Sequence, residues 1–461
     1  MDNNQGFRKF FQAHGEKIAL AGLLLAFVIC SLFIALNIKT GIIPDEIGHF
    51  LFSKHYSTTL GIPEDTSETF KTGWLIWQNP FMYYWVMGRV INLTNLIQPS
   101  ITDLELLITL RVVNVLFATG TIIFCYLLSR ETVQRKWWRL LPVFILTNIL
   151  MFVFLAGGVN YDNLANLFSM GAVYFFVLSI RNKKFITNTI LSMIFIFAGT
   201  LVKFPILPLA LAITAAWIIF VITQRKALWP LNIKHRHILL FVILFLLLVG
   251  NFAIYGVNII RFQALTPPCI EALTLSQCEL NPYAIRYQEM AFQPKLTIAE
   301  SLQMGFPSPL KYTFHTWPYF ILIRSLGVTG HQSYNPFHLI RYYQVLFYGA
   351  ILLSVINILY HRKFDKTGLY LFGIMAFYTV TLFLHNYNSE LIYGFQQISL
   401  QGRYIFPVIG IILVLFTRTL INIPNRIVRW IFTIYTIGLV TYGGMLTILI
   451  GYDSFFSGWF F

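Results

Sequence analysis

The chain has 461 residues, of which 57% are hydrophobic and 11% charged, whereas a soluble domain carries about 25% charge. Apolar runs close to the ~20 residues that cross a bilayer recur from end to end, which excludes a soluble core with a single anchor. The net charge of +15 would suggest nucleic acid in a soluble protein, but here the basic residues sit beside apolar segments, and nucleic acid is excluded as a partner.

The first span covers residues 18–38 and follows Arg8, Lys9 and Lys17. No cleavage site follows it, so it reads as a retained helix. A polar loop, residues 39–107, holds short amphipathic pieces at 46–56, 70–78 and 81–96, and the last is read as lying in the membrane interface. Spans follow at 108–128 and 140–155, then the polar turn Gly157-Gly158-Val159-Asn160-Tyr161-Asp162, then a span at 164–180. The spans 186–202 and 204–222 meet tightly at Lys203 and Pro205, and 238–260 follows. A second long loop, 261–338, contains Cys269 and Cys278, for which a disulfide is an open reading. Cys30 and Cys125 fall within spans and read as packing residues. Spans at 339–360 and 368–384, a third polar loop, and spans at 404–416 and 430–450 complete the chain.

The expected fold is therefore an all-α polytopic bundle of about 11 transmembrane helices forming one domain over 1–461, with juxtamembrane helices in its long loops. Most of the 33 lysines and arginines occupy six short segments on one side, and most of the 18 carboxylates lie on the other. The positive-inside rule then puts the N-terminus in the cytoplasm and the long loops outside it.

Pro44-Asp45-Glu46 opens the first loop. Carboxylates at a membrane boundary are costly unless water, a cation or a substrate compensates them. They also suit the first turn of a helix. Either could serve as a general base for a hydroxyl. His49 shares their helix face, but one histidine and two acids make a weak metal signature. Asp162 would face the same side, as a helix cap or as part of a site. Arg111, Lys203 and Arg403 sit at outer helix ends, against the positive-inside bias, either snorkelling or binding a phosphate. Trp74, Trp77, Tyr83, Tyr84, Trp85, Tyr387 and Tyr393 read as an interfacial aromatic belt. No nucleotide-binding glycine pattern and no HExxH are present, and the cytoplasmic loops are too short to house a nucleotide site.

Pro44-Asp45-Glu46 with His49, Gln78-Asn79-Pro80-Phe81-Met82-Tyr83-Tyr84-Trp85, Arg111, Asn160-Tyr161-Asp162, Lys203-Phe204-Pro205 and Gln401-Gly402-Arg403-Tyr404-Ile405-Phe406-Pro407 occur in an order that resembles the GT-C superfamily of integral-membrane glycosyltransferases. The resemblance runs through nearly the whole chain, although Asn79-Pro80-Phe81 stands where His-Pro-Pro-Leu is common. It implies a GT-C-like bundle in the plasma membrane that takes an inverting sugar transfer from a polyprenyl-phosphate donor to an acceptor on the extracytoplasmic face. The acceptor classes are glycan, lipid-linked glycan and protein. It implies Asp45, with Glu46, as the catalytic carboxylate, and Arg403 and Lys203 as contacts of the donor phosphate. Asp162, Arg111, His49 and Tyr404 complete the expected substrate-binding set. Some members use a divalent metal, and that point stays open here. Two other readings compete. A flippase or transporter would hold its charges near the bilayer midplane. A polysaccharide polymerase or ligase would use paired arginines, for which Arg286, Arg324 and Arg341 are candidates.

Overall fold

The structure, a computed structural model, describes residues 3–72, 75–228, 235–281, 295–305, 308–330, 332–361, 365–393 and 400–461. Trp74 and Arg286 lie outside the described residues. Among the described residues the structure is mostly helical, with one two-stranded hairpin pairing Val328–Thr329 with Ser333–Tyr334. Among the described residues, ten helices are long and apolar enough to cross a membrane, or 11 with one bent pair counted as a span.

Helix α1 (Asn3–Asn37) leads into the first loop. There α2 (Glu46–Ser57) and α4 (Met82–Ile97) match the expected pieces at 46–56 and 81–96, while α3 (Ser67–Lys71) lies ahead of the one expected at 70–78. The long α5 (Asp103–Thr132) starts with a capping box, in which Thr102 Oγ1 accepts from the Glu105 amide (3.3 Å) and Glu105 Oε2 accepts from the Thr102 amide (2.8 Å).

The third expected span is broken. Helices α6 (Leu140–Thr147) and α7 (Leu150–Ala156) meet at 70°. The break has a local cause: the Thr147 hydroxyl and the Asn148 amide both donate back to the Phe144 carbonyl (3.0 and 2.9 Å), diverting it from the helical ladder. Every residue of α7 is buried, so this short helix lies in the middle of the bundle. It ends at Gly157-Gly158, beside the start of α8 (Asp162–Ile180).

Helices α9 (Phe185–Val202) and α10 (Leu207–Leu228) are separated by Lys203 and one short turn, Phe204–Ile206. Pro205 fits that turn because its missing N–H is not needed there. Helix α11 (Arg236–Asn251) continues through a π turn into α12 (Val257–Phe262). Thr200 of α9 donates to Asn251 (2.6 Å), a polar tie between two apolar helices. In the second loop Cys269 and Cys278 form a disulfide. The remaining spans are Phe337–Ile356, Lys366–Ile392, Gly402–Ile421 and Arg426–Ile450. The third of these opens with a 3-10 turn, Gly402–Val408, where Pro407 prevents regular α pairing.

Candidate active site

The loop after α1 carries Asp45 with φ of +58°, a left-handed conformation that aspartate tolerates better than most residues. Asp45 precedes α2, yet its carboxylate caps no amide of that helix. The turn frees it to point elsewhere. The loop rests on the α7–α8 connection, and a Cβ on Gly158 would meet Ile43 Cγ2 at 2.4 Å, so no larger residue fits there. Asn160 clamps the same joint: its amide donates to the Pro44 carbonyl (3.0 Å) and its Oδ1 accepts from the Asp162 amide (2.9 Å).

Four charged side chains then alternate in sign. Arg403 Nη2 donates to Asp45 Oδ2 at 3.0 Å, and Arg403 Nε lies 3.4 Å from Asp162 Oδ2. The Lys203 ammonium pairs closely with Asp162 Oδ1. Lys203 Nζ also sits 4.5 Å from the centre of the Tyr161 ring and 4.6 Å from that of Tyr404. The side chains of Arg403, Asp162 and Lys203 are 7%, 4% and 4% exposed, while that of Asp45 is 33% exposed. Asp45 is thus the open end of an otherwise buried row. Gly402 makes this possible, because a Cβ there would lie 2.3 Å from the Ser325 backbone nitrogen. Only glycine lets the turn carrying Arg403 approach the helix Trp317–Leu326 so closely.

Glu46 and Arg111 do not join this row. They face each other in a two-pronged ion pair, with Arg111 Nε and Nη2 donating to Glu46 at 2.8 and 2.7 Å. Glu46 also accepts from the Val159 amide (3.0 Å). Arg111 Nη1 donates to the carbonyls of Ala35 (3.2 Å) and Ile38 (2.9 Å), so it ties the end of α1 to α2 and α5. Both side chains are at most 1% exposed. Four of the five guanidinium N–H groups of Arg111 are thus engaged inside the protein. Glu46, expected as catalytic, and Arg111, expected as substrate-binding, are brought together as a buried pair that fixes the loop.

His49 is fully buried one turn beyond Asp45, with Nδ1 2.9 Å from the Tyr84 hydroxyl and its ring 4.5 Å from the Tyr161 ring. Burial lowers its pKa to about 4, so the ring is neutral near pH 7. Its ring packs against those of Tyr84 and Tyr161. Burial likewise lowers the pKa of Lys203, with Asp162 opposing the shift. Tyr83 and Tyr84, read as belt residues, are 0% and 2% exposed and form the floor under α2; Trp77 and Trp85 are exposed, as a belt requires. From Tyr83 a buried amide chain runs inward: Asn114 donates to its hydroxyl (3.1 Å), and Asn163 donates to Asn114 (3.0 Å). Sequence reading missed Tyr161 and the three asparagines as site residues. Their one signal was adjacency to Asp162 and Arg111.

The donor set does not fit a divalent metal. Asp45 and Asp162 are each engaged by Arg403 or Lys203, and no group of three or more His, Cys, Asp or Glu converges among the described residues.

No protein-family model and no curated protein matches the chain. Among solved structures, ArnT from Cupriavidus metallidurans, bound to undecaprenyl phosphate, superposes with a TM-score of 0.52 at 12% identity, over 94% of this chain and 65% of that one. The fold is GT-C. An oligosaccharyltransferase from Archaeoglobus fulgidus, AglB, solved with an inhibitory peptide and a dolichol-phosphate, aligns with a TM-score of 0.44 at 13% identity, over 93% of this chain and 56% of that one. The chain therefore spans less than two thirds of either protein's length. The charged row lies where helix ends and the first loop meet.

Proposed function

We propose that this GT-C chain is a glycosyltransferase that moves a sugar from a polyprenyl-phosphate carrier to an acceptor hydroxyl at the extracytoplasmic face of the plasma membrane. The observation that carries the reading is Arg403 held between a buried and an open carboxylate, Asp162 and Asp45. The row leaves one carboxylate, Asp45, exposed beside a cation that an incoming anion could take over.

In this mechanism the donor phosphate takes Arg403 and Lys203 as its counter-ions. Arg403 then turns from Asp45 to the phosphate, and Asp45 becomes free to accept the proton of the acceptor hydroxyl. The hydroxyl oxygen attacks the anomeric carbon, the bond from that carbon to the phosphate oxygen breaks, and the carrier phosphate leaves on the two cations. One displacement inverts the anomeric centre. Asp162 stays between Lys203 and Arg403 and keeps both aimed. Tyr161 and Tyr404 shield Lys203 from water.

The placement of the charges weighs against a transporter. Asp162 begins a span, Lys203 falls between two spans, and Arg403 is the second residue of the span Gly402–Ile421, so none lies at a midplane. Of the arginines expected for a polymerase or ligase, Arg286 lies outside the described residues and the other two do not pair. Arg324 donates to the Leu400 carbonyl, and Arg341 is exposed on another helix. The test is mass spectrometry of surface glycans from cells with the intact chain, without it, and with Asp45→Asn. Loss of one sugar in the last two supports the reading. Identical glycans in all three would end it.

A further inference from the structure

The helix Phe337–His361 has two unlike faces. Leu339, Ile340 and Tyr343 are buried, and the Tyr343 hydroxyl donates to the Leu439 carbonyl (3.1 Å), which fixes the rotation of the helix. The opposite face points away from the core. There Phe337, His338, Arg341, Tyr342 and Val345 line a groove of about 490 Å³. Positions 338, 341, 342 and 345 follow helical spacing, so they form one stripe. Tyr435 closes one side by donating to the Tyr342 carbonyl (2.9 Å), and the His338 ring meets the Tyr442 ring edge-on at 6.4 Å.

Arg341 is the unusual member. It is exposed in the second turn of a membrane span, Phe337–Ile356, and among the described residues no carboxylate lies within ion-pair distance of it. A guanidinium on a lipid-facing helix is costly unless an anion meets it. Its depth is set by the hairpin just before the helix, whose Gly330 backbone lies against Ile42 and Pro44. Arg341 is therefore near the membrane boundary that carries Asp45, where phosphate headgroups reside. Further along the stripe Leu352 and Ile356 are exposed and apolar, a track suited to an acyl chain.

We infer that this groove binds an anionic phospholipid of the surrounding bilayer, with the phosphate on Arg341 and His338 and a chain along Val345 and Leu352. The face is opposite the buried one, so the occupant is a bilayer lipid and not a substrate. The inference stands apart from the proposed transfer reaction. Its test is native mass spectrometry of the full chain in detergent with added phosphatidylglycerol or with diacylglycerol, which lacks the phosphate. Phosphatidylglycerol adducts should exceed diacylglycerol adducts several-fold, and Arg341→Gln should remove that excess while Arg341→Lys keeps part of it. Thermal stability in detergent reports that each variant is folded. Equal retention of the two lipids, or an unchanged excess in folded Arg341→Gln, would overturn the site. Stoichiometric displacement of phosphatidylglycerol by polyprenyl phosphate would overturn the bilayer-lipid assignment.

Discussion

Asp45 and Arg403 stand 358 positions apart in the chain and 3.0 Å apart in the fold. Their contact joins the first loop to the turn that opens the span Gly402–Ile421. It leaves one carboxylate edge accessible, since the Asp45 side chain is 33% exposed.

Asp45→Asn keeps the left-handed backbone, because asparagine tolerates that region as well as aspartate does. It removes the proposed base and the charge of one Arg403 partner, at a side chain that is one-third exposed. Transfer should fall by about 10²–10⁴-fold, with expression and detergent melting temperature unchanged. Sugar transfer to acceptor in proteoliposomes is the measurement.

Glu46→Gln should do the reverse. It leaves the Arg111 guanidinium buried without its counter-charge, an effect of about 3–5 kcal/mol on stability. The expected result is a large drop in melting temperature and in folded yield by fluorescence-detected size-exclusion chromatography. A stable protein with a purely catalytic defect would contradict the structural assignment of this pair.

Glu46 also marks where the sequence stopped being informative. Asp45 and Glu46 are neighbours with like chemistry, and the positive φ that leaves one accessible and sends the other inward is not written in composition or spacing. Tyr83 and Tyr84 were misread for a related reason. An aromatic residue at a helix start is equally suited to an interface or to a buried floor, and the packing of α2 over α4 decides it. The spans, by contrast, were readable because length and apolarity alone set them. Asp162, Lys203 and Arg403 were readable because charge at a span end needs compensation. The bend at Asn148 was not, since its cause is a side chain bonding back to one carbonyl.

Arg403→Lys retains charge but not the planar fork that reaches Asp45 and Asp162 together. Loss of one charge-assisted bond of about 1.5–3 kcal/mol should lower kcat/KM for the polyprenyl-phosphate donor by roughly 10- to 150-fold. Arg403→Ala should lower it further. Steady-state kinetics with varied donor decides the point.

Gly402→Ala places a methyl group against backbone, 2.3 Å from the Ser325 nitrogen and 2.4 Å from the Arg324 carbonyl carbon. Backbone has to shift, and Arg403 shifts with it. Activity should drop by roughly 10²-fold, as misplacement of a site by about an ångström does, although no charged group has been altered.

His49 links pH to stability. Its folded pKa, about 4, is depressed by burial below the ordinary value of 6.5. The unfolded chain therefore binds the proton first. The contribution is fully present above pH 6.5 and is lost as pH falls from there toward 4. Asp45 and Asp162 oppose the depression, and Arg403 and Lys203 reinforce it. The melting temperature should decline over this interval in the parent protein and less steeply in His49→Phe. Parallel curves would assign the decline to other groups.

The alternation of Asp45, Arg403, Asp162 and Lys203 has a kinetic meaning as well. Two carboxylates and two cations cancel, so the row projects little long-range field and does little to draw soluble anions from bulk water. Capture must then rest on a hydrocarbon tail that already confines the anion to the plane of the bilayer. Salt concentration should consequently alter encounter rates far less than it would for a cationic cleft.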